Sequence, residues 1–313
     1  MNLQQLEYII AVDQYRHFVT AAEKSFVTQA TLSMMIKKLE EELDIKVFDR
    51  SKQPVVPTEI GEKIIQQARI IIAESKKIRE IVRNESKEIS GELRIGIIPT
   101  MAPNLLPLFL SSFLKNYPKV KLKISEVTTE QIILQLQQGI LDAGILATPL
   151  HKTDILEEPL FYEQFVVYGS AKEKLMQKKY LLAEDIDINR LWLLEEGHCL
   201  RSQIINLCEL KKREKEIHQL DFESGSIETL KRMVDLNGGI TIIPELAISD
   251  LSAKEQRNIR YFKNPAPVRE VSLVTYRYYA KRSLLEALKS EILKYIPENL
   301  KSGKKKNIVE IDN

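Results

Sequence analysis

The spacing of the apolar residues changes once along the chain, near Ser90, and that change fixes what the chain can fold into. Up to this point apolar positions recur at three- and four-residue steps and read as one helix after another. Beyond Gly91 short β-rich runs alternate with helical ones. A chain of 313 residues with two such patterns is expected to hold at least two domains, an all-helical part followed by an α/β part. The β-like runs are GELRIGIIPT, KVKLKISEV, DAGILAT, EQFVVYGS, LWLLEEG, GITIIPE and VSLVTYR, with helical runs at 104–115, 130–138, 227–236 and 283–295. This many strands suits two small α/β lobes with a cleft between them, in which ligands sit at the carboxyl ends of strands against helix N-termini.

In the first part, Leu3, Leu6, Ile9 and Ile10 mark one helix, a second starts at Thr20 in TAAEKSFV, and a third begins near Thr28. In the third, Leu32, Ile36, Leu39 and Leu43 fall on one stripe, which leaves Ala30, Ser33, Met34, Lys37 and Lys38 outside. That outer face is small and polar at its start, then basic, then acidic at Glu40 to Glu42. Two short helices joined by a tight turn make a helix-turn-helix unit, whose second helix enters the major groove of DNA by its N-terminal end. Base and backbone contacts are therefore expected from Thr28, Gln29, Ala30, Thr31, Ser33, Met34, Lys37 and Lys38. The segment IKVFDRSKQPVVPTEIG, with two β-like runs around Arg50, Ser51 and Lys52, reads as a wing against the DNA backbone. Charge does not single this domain out: residues 1–60 hold seven Lys or Arg against nine Asp or Glu, and the whole chain 46 against 44. A plain helical bundle with solvated charges is the competing reading of the same residues.

From Thr58 a long helical run follows, in which Ile64, Ala68, Ile71, Ser75, Ile78 and Val82 step by four and three in turn, the spacing of a coiled-coil seam. A second copy of the helix is the expected partner, giving a dimer; packing on its own chain is the alternative, and the polar Ser75 favours it. The domain plan is 1–58 winged helix-turn-helix, 59–90 linker and dimerisation helix, 91–298 two-lobed regulatory domain, and 299–313 a polar tail, with the run KSGKKK, that reads as disordered.

No secretory leader and no apolar stretch of membrane-spanning length is present, so the cytoplasm is the expected location, with no membrane partner. Two cysteines are too few for a disulfide scaffold. No Gly-rich phosphate loop, His-Glu metal motif or cysteine cluster appears, so no cofactor and no metal are expected. Both cysteines lie in GHCLRSQIINLCEL, where Cys199 opens a helix-like run beside His198 and Arg201. Helix N-termini and neighbouring cations favour the reactive thiolate of a cysteine. On the residues alone, Cys208 between Leu207 and Leu210 also suits a small buried hydrophobe, and His198 a solvated or core-bonded imidazole. Thr100 and Thr129 each place a hydroxyl between a strand end and a helix, where a routine N-cap is the competing reading.

These pieces in this order resemble the LysR-type transcriptional regulators, over nearly the whole chain: winged helix-turn-helix, linker helix, and a two-lobed α/β effector domain like a periplasmic binding protein. TAAEKSFVTQATLSMMIKKLEEELDIKVFDR is similar to the family's signature segment, with Met34 and Met35 where more polar residues are the rule. Within the family, GHCLRSQIINLCEL resembles the hydrogen peroxide-sensing branch, whose signature is Gly-His-Cys-Leu-Arg, an acidic residue, Gln, and a second Cys five residues after the Gln. Here these are Gly197, His198, Cys199, Leu200, Arg201, Ser202, Gln203 and Cys208, so Ser202 replaces the acidic residue. Thr100 in IGIIPT, Thr129, SGSIETLKRMV, GGITIIPELA, His218 and Arg269 in PVRE extend the likeness.

The resemblance implies that Cys199 is the peroxidatic and Cys208 the resolving cysteine, with Thr100, Thr129, His198, Arg201, Gln203 and Arg269 as the peroxide pocket. Hydroxyls would hold one peroxide oxygen, and positive charge would favour the thiolate and the leaving hydroxide. The product would be a Cys199–Cys208 disulfide. In one continuous helix a nine-residue step rises about 13.5 Å, whereas a disulfide needs Cα atoms within ~7 Å, so the segment must unwind first. The implied partners are a double-stranded DNA operator, hydrogen peroxide as signal, further copies as homodimer or homotetramer, a cytosolic thiol reductant such as glutaredoxin or thioredoxin, and RNA polymerase at oxidative-stress genes. The resemblance implies no enzyme. Two other functions stay open: a LysR-type regulator with a small organic effector in the cleft and structural cysteines, and a thiol peroxidase, which shares the first chemical step.

Overall fold

The first helix, α1 (Leu3–Tyr15), starts on a reciprocal cap: the Asn2 side chain accepts the Gln5 N–H at 2.9 Å, and the Gln5 side chain accepts the Asn2 N–H at 2.9 Å. The computed structural model describes residues 1–85, 89–208, 224–277, 281–301 and 307–311, with backbone alone at 76–77 and 79–85. It divides into a unit built on residues 1–88 and a unit built on 89–277 and 283–313.

In the first unit, α2 (Phe18–Lys24) begins two residues before the expected Thr20, because the His17 ring nitrogen accepts the Thr20 N–H and caps the helix there. α3 (Gln29–Leu43) is capped by Thr28, which accepts the Thr31 N–H at 3.2 Å. β1 (Phe48–Asp49) and β2 (Val56–Pro57) pair antiparallel as a short wing, and α4 (Glu59–Glu85) follows. Leu6, Ile9, Val12, Ala21, Leu32, Ile36 and Leu39 are buried together with Ile65, Ala68 and Ile72 of α4, each large side chain adding about 1.5–3 kcal/mol of burial. The stripe expected along α4 is thus divided: Ala68 is buried in the unit's own core, Ile64 and Ile71 are half-buried against it, and Ile78 is 66% exposed. The side chain of Val82 lies outside those described. Glu40, expected on the outer face of the recognition helix, is buried instead. Its carboxylate accepts the Val47 N–H at 2.9 Å and pairs with Arg50 at 3.1 Å, which ties α3 to the wing.

The second unit opens with β3 (Gly91–Ile97), α5 (Ala102–Asn116), β4 (Val120–Glu126), α6 (Thr129–Gln137) and β5 (Ala143–Thr148). These strands are parallel, with β3 between β4 and β5. β6 (Ile155–Gly169) is long because it serves two lobes: residues 155–164 pair with β10 (Val268–Tyr276), and 165–169 with β8 (Ile240–Pro244). Short β7 (Tyr180–Leu181) and β9 (Ile259–Phe262) complete the order β4-β3-β5-β10-β6-β9-β7, with β8 also on β6. The second lobe carries α7 (Cys199–Leu207), α8 (Ile227–Asn237) and the short α9 (Ala253–Gln256); α10 (Arg282–Tyr295) and α11 (Glu298–Lys301) close the helices. LWLLEEG makes no strand: Leu191 bridges Ile240 once, and Glu195 then gives its N–H to Ser224, which draws the chain away from β8. Residues 307–311 differ from the expected loose tail, since Ile308 bridges Val268 and both Val309 and Ile311 are 8% exposed. Their two-residue apolar alternation is strand-like; the lysine run before them masked it in the sequence. Among the described residues, no helix is long and apolar enough to cross a membrane.

Candidate functional site

Both cysteines sit at the ends of α7. Gly197 turns into the helix with φ at +88°, a value that favours glycine. His198 follows at the cap position with no side-chain cap bond, and Cys199 is the first helical residue. His198 and Cys199 are each 6% exposed, at the helix end whose N–H groups lack intrahelical partners. Nε2 of His198 lies 3.4 Å from Oε1 of Glu195. Gly225 lets this pair sit where it does, since a Cβ there would come within 2.9 Å of the Glu195 carboxylate. Arg201, two residues into the helix, donates from Nη1 to the Leu194 carbonyl at 2.7 Å. Gln203 is fully buried; its Nε2 donates to the Val309 carbonyl at 2.9 Å, and its Oε1 has no partner. Ser202 is half-buried.

At the other end Cys208 is the helix C-cap, its N–H bonded to the Ile204 carbonyl at 3.1 Å. Its side chain packs in the lobe core with Leu200, Ile204, Leu230 and Val234. Neither thiol is in a disulfide. The helix is continuous between them, so their backbones are about 13.5 Å apart along its axis.

A second polar group lies at the carboxyl ends of the parallel strands. Thr100 follows β3, Thr129 follows β4, and Arg269 opens β10, whose neighbour Glu270 pairs with Thr148 at the end of β5. Neither threonine is an N-cap: Thr128 caps α6, and Met101, the N-cap residue of α5, makes no side-chain cap bond. Thr100 accepts a hydrogen bond from Nη1 of Arg269 at 3.3 Å, and the Thr129 hydroxyl is buried with no partner. Arg269 donates from Nε to Oε1 of Glu163 at 2.7 Å, and the other Glu163 oxygen accepts the Leu246 N–H at 2.9 Å. Arg269 and Glu163 are 1% and 0% exposed. Arg269 therefore brings a directed hydrogen-bond donor whose charge Glu163 balances. Burial raises the pKa of Glu245, the residue before Leu246, and the charge of Glu163 adds to that shift.

Glu163 was not among the residues singled out in the sequence. Its only signal there is a carboxylate in a strand-like run, and its role needs the register that sets it opposite Arg269. The hydrogen bonds described thus form one group at Thr100, Arg269, Glu163 and Leu246, and another around α7. They meet at β10: Val309, which accepts from Gln203, donates its N–H to Val268, the neighbour of Arg269. His218 lies outside the described residues.

In the first unit, Thr28, Gln29, Ala30, Thr31, Met34, Lys37 and Lys38 are exposed, as are Arg50, Ser51 and Lys52 of the wing. Ser33 is half-buried and accepts from Arg50 at 3.3 Å, while the Arg50 guanidinium lies 4.9 Å over the Phe18 ring. Among the described residues, no three His, Cys, Asp or Glu side chains are grouped as a metal site.

Residues 3–62 match the bacterial regulatory helix-turn-helix protein family of LysR type, and residues 86–296 match the LysR substrate binding domain. The hydrogen peroxide-inducible genes activator of Haemophilus influenzae is 35% identical over 276 residues, 88% of this chain and 90% of that protein. A full-length cysteine-to-aspartate variant of OxyR from Pseudomonas aeruginosa superposes with a TM-score of 0.77 at 32% identity, covering 94% of this chain and 98% of that one. A hydrogen peroxide-bound cysteine-to-serine variant of OxyR from Corynebacterium glutamicum superposes with a TM-score of 0.61 at 26% identity, covering 94% and 92%.

Proposed function

The chain belongs to the LysR family of bacterial transcriptional regulators, and we propose from this premise that it is a DNA-binding regulator that senses hydrogen peroxide at Cys199. The observation that carries the reading is the pair of free, buried cysteines at the two ends of one short helix, the first of them at its N-terminus. The names of its relatives, a hydrogen peroxide-inducible genes activator and OxyR, support it.

The Cys199 sulfur, as thiolate, attacks one oxygen of the peroxide; the O–O bond breaks, the far oxygen leaves as hydroxide and takes a proton, and the sulfur becomes a sulfenic acid. The unpartnered Thr129 hydroxyl and the Thr100 hydroxyl, held by Arg269, suit the two peroxide oxygens, and the remaining N–H groups of Arg269 suit the leaving oxygen. Glu163 positions Arg269 for this task. His198, Arg201 and Gln203 flank Cys199 in the same reading. After α7 unwinds, the Cys208 sulfur attacks the Cys199 sulfur, forms the disulfide and expels the hydroxyl as water. In balance, two thiols and one peroxide give one disulfide and two waters. A cytosolic dithiol, such as glutaredoxin or thioredoxin, returns the two electrons.

At the DNA end, the exposed start of α3 enters the major groove, from Thr28 to Lys38, with Arg50, Ser51 and Lys52 on the backbone. Ile78, with half-buried Ile64 and Ile71, offers α4 a seam for a second copy, so a dimer or a tetramer presents paired recognition helices to a two-fold operator and to RNA polymerase. The test is a transcript profile before and after a brief peroxide pulse, in cells carrying the native chain or Cys199→Ser. Loss of the response in Cys199→Ser is the expected result. A response that survives the substitution rejects the sensor and favours a regulator with an organic effector in the cleft.

A further inference from the structure

We propose that the extended C-terminal segment, residues 307–311, is a releasable clamp on α7 that sets how much peroxide is needed to throw the switch. The proposal rests on the reading of α7 as the redox element. Asn307, with φ at +76°, turns the chain into line with β10. The Val268 N–H then donates to the Asn307 carbonyl at 3.0 Å, and the Val309 N–H donates to the Val268 carbonyl at 2.9 Å. Asn307 Nδ2 secures the turn on the Pro265 carbonyl at 3.0 Å. Thus anchored on β10, the segment turns its other carbonyls to the helix. Gln203 Nε2 donates to Val309 at 2.9 Å, and Asn206 Nδ2 donates to Glu310 at 3.1 Å.

Gln203 and Asn206 are three residues apart, so they share one face of α7. The buried Val309 side chain belongs to the same core cluster as Leu200, Ile204 and Cys208. A helix of nine residues is too short to persist by itself. α7 is held by the lobe core on one side and by this segment on another, and the disulfide cannot form until both let go. The two hydrogen bonds run from side-chain amides to main-chain carbonyls, with no covalent tie, so their loss shifts the opening of α7 without dismantling the sheet. The same segment pairs with Val268, the residue before Arg269, so it bonds both to β10 and to the helix.

The test compares the full chain with one lacking residues 307–313, in the reduced state, by amide hydrogen exchange of α7 and by the peroxide concentration that gives half-maximal Cys199–Cys208 disulfide. Loss of the two hydrogen bonds together with the Val309 packing is expected to speed exchange in α7 by at least roughly tenfold and to lower that concentration, with exchange in β3 to β5 unchanged. Unchanged exchange in α7 overturns the clamp. Asn206→Ala removes one bond and leaves the segment in place, so it decides the matter if the shortened chain does not fold: a several-fold rise is expected, and none overturns the proposal. Faster exchange in α7 with no disulfide in either chain leaves a clamp on the helix but overturns its assignment to peroxide sensing, which fails the sensor and not the contact.

Discussion

Thr100, Arg269 and Glu163 are fixed by strands of one sheet, whereas Cys199 and Cys208 are carried by a helix of nine residues. The first group is tied through charge-assisted bonds to two strands and the Leu246 turn, with both ionic partners out of water. The second is held by apolar packing, a few side-chain bonds and the extended segment 307–311. A device that must first recognise a small molecule and then rearrange needs both kinds of construction. Pocket groups have to be in place before the ligand arrives, and the responding segment has to have a second packing within reach.

The largest blow to the rigid half is Glu163→Ala, which leaves Arg269 buried without its counter-charge and is expected to destabilise the unit by about 3–5 kcal/mol, read by thermal melting. Glu163→Gln keeps an acceptor for Arg269 and is expected to cost distinctly less; equal losses would mean that the charge of Glu163 matters little. Thr129→Val sharpens the contrast between fold and chemistry. Its hydroxyl has no protein partner to lose, so melting should move by less than about 1 kcal/mol, while sulfenic acid formation at Cys199 should slow by roughly tenfold to hundredfold. A large melting loss with unchanged oxidation would remove Thr129 from the pocket.

On the convertible side, Cys208→Ser places a more polar group in the lobe core, at a cost of about 1–3 kcal/mol. Oxidation of Cys199 should then stop at the sulfenic acid, detectable as a persistent adduct with a sulfenic acid-specific nucleophile; rapid loss of that adduct would mean another resolving group. The smallest effect is expected at Gly225→Ala. The new Cβ displaces only the half-exposed Glu195 carboxylate, so stability should change by less than about 0.5 kcal/mol, with His198 repositioned as seen by its ring proton shifts.

The difference between the two halves also decided what the sequence could convey. Local features were legible: the start of α3 at Thr28, the Leu32, Ile36 and Leu39 stripe, and the helix opened by Cys199 are each written within a few residues, although the cap of α6 falls on Thr128 and not on the neighbouring Thr129. Features set by register were not. Glu163 faces Arg269 across two strands more than a hundred residues apart, and Glu40 is drawn inward by Val47 and Arg50 rather than by its own helical pattern. LWLLEEG carries the composition of a strand, yet its ties to β8 end at Trp192, and Glu195 bonds to Ser224 instead. In the last residues, a cluster of lysines hid an apolar alternation whose partner, Val268, lies about forty positions earlier.

The central claim is that one helix separates two cysteines that peroxide joins. Its most direct test is a peptide map of the purified full chain before and after brief stoichiometric hydrogen peroxide, with alkylation to trap remaining thiols. The account predicts a linked peptide containing Cys199 and Cys208, reversible by a dithiol and absent from Cys199→Ser. Recovery of both cysteines fully alkylated after peroxide, from protein that still binds DNA, would contradict it.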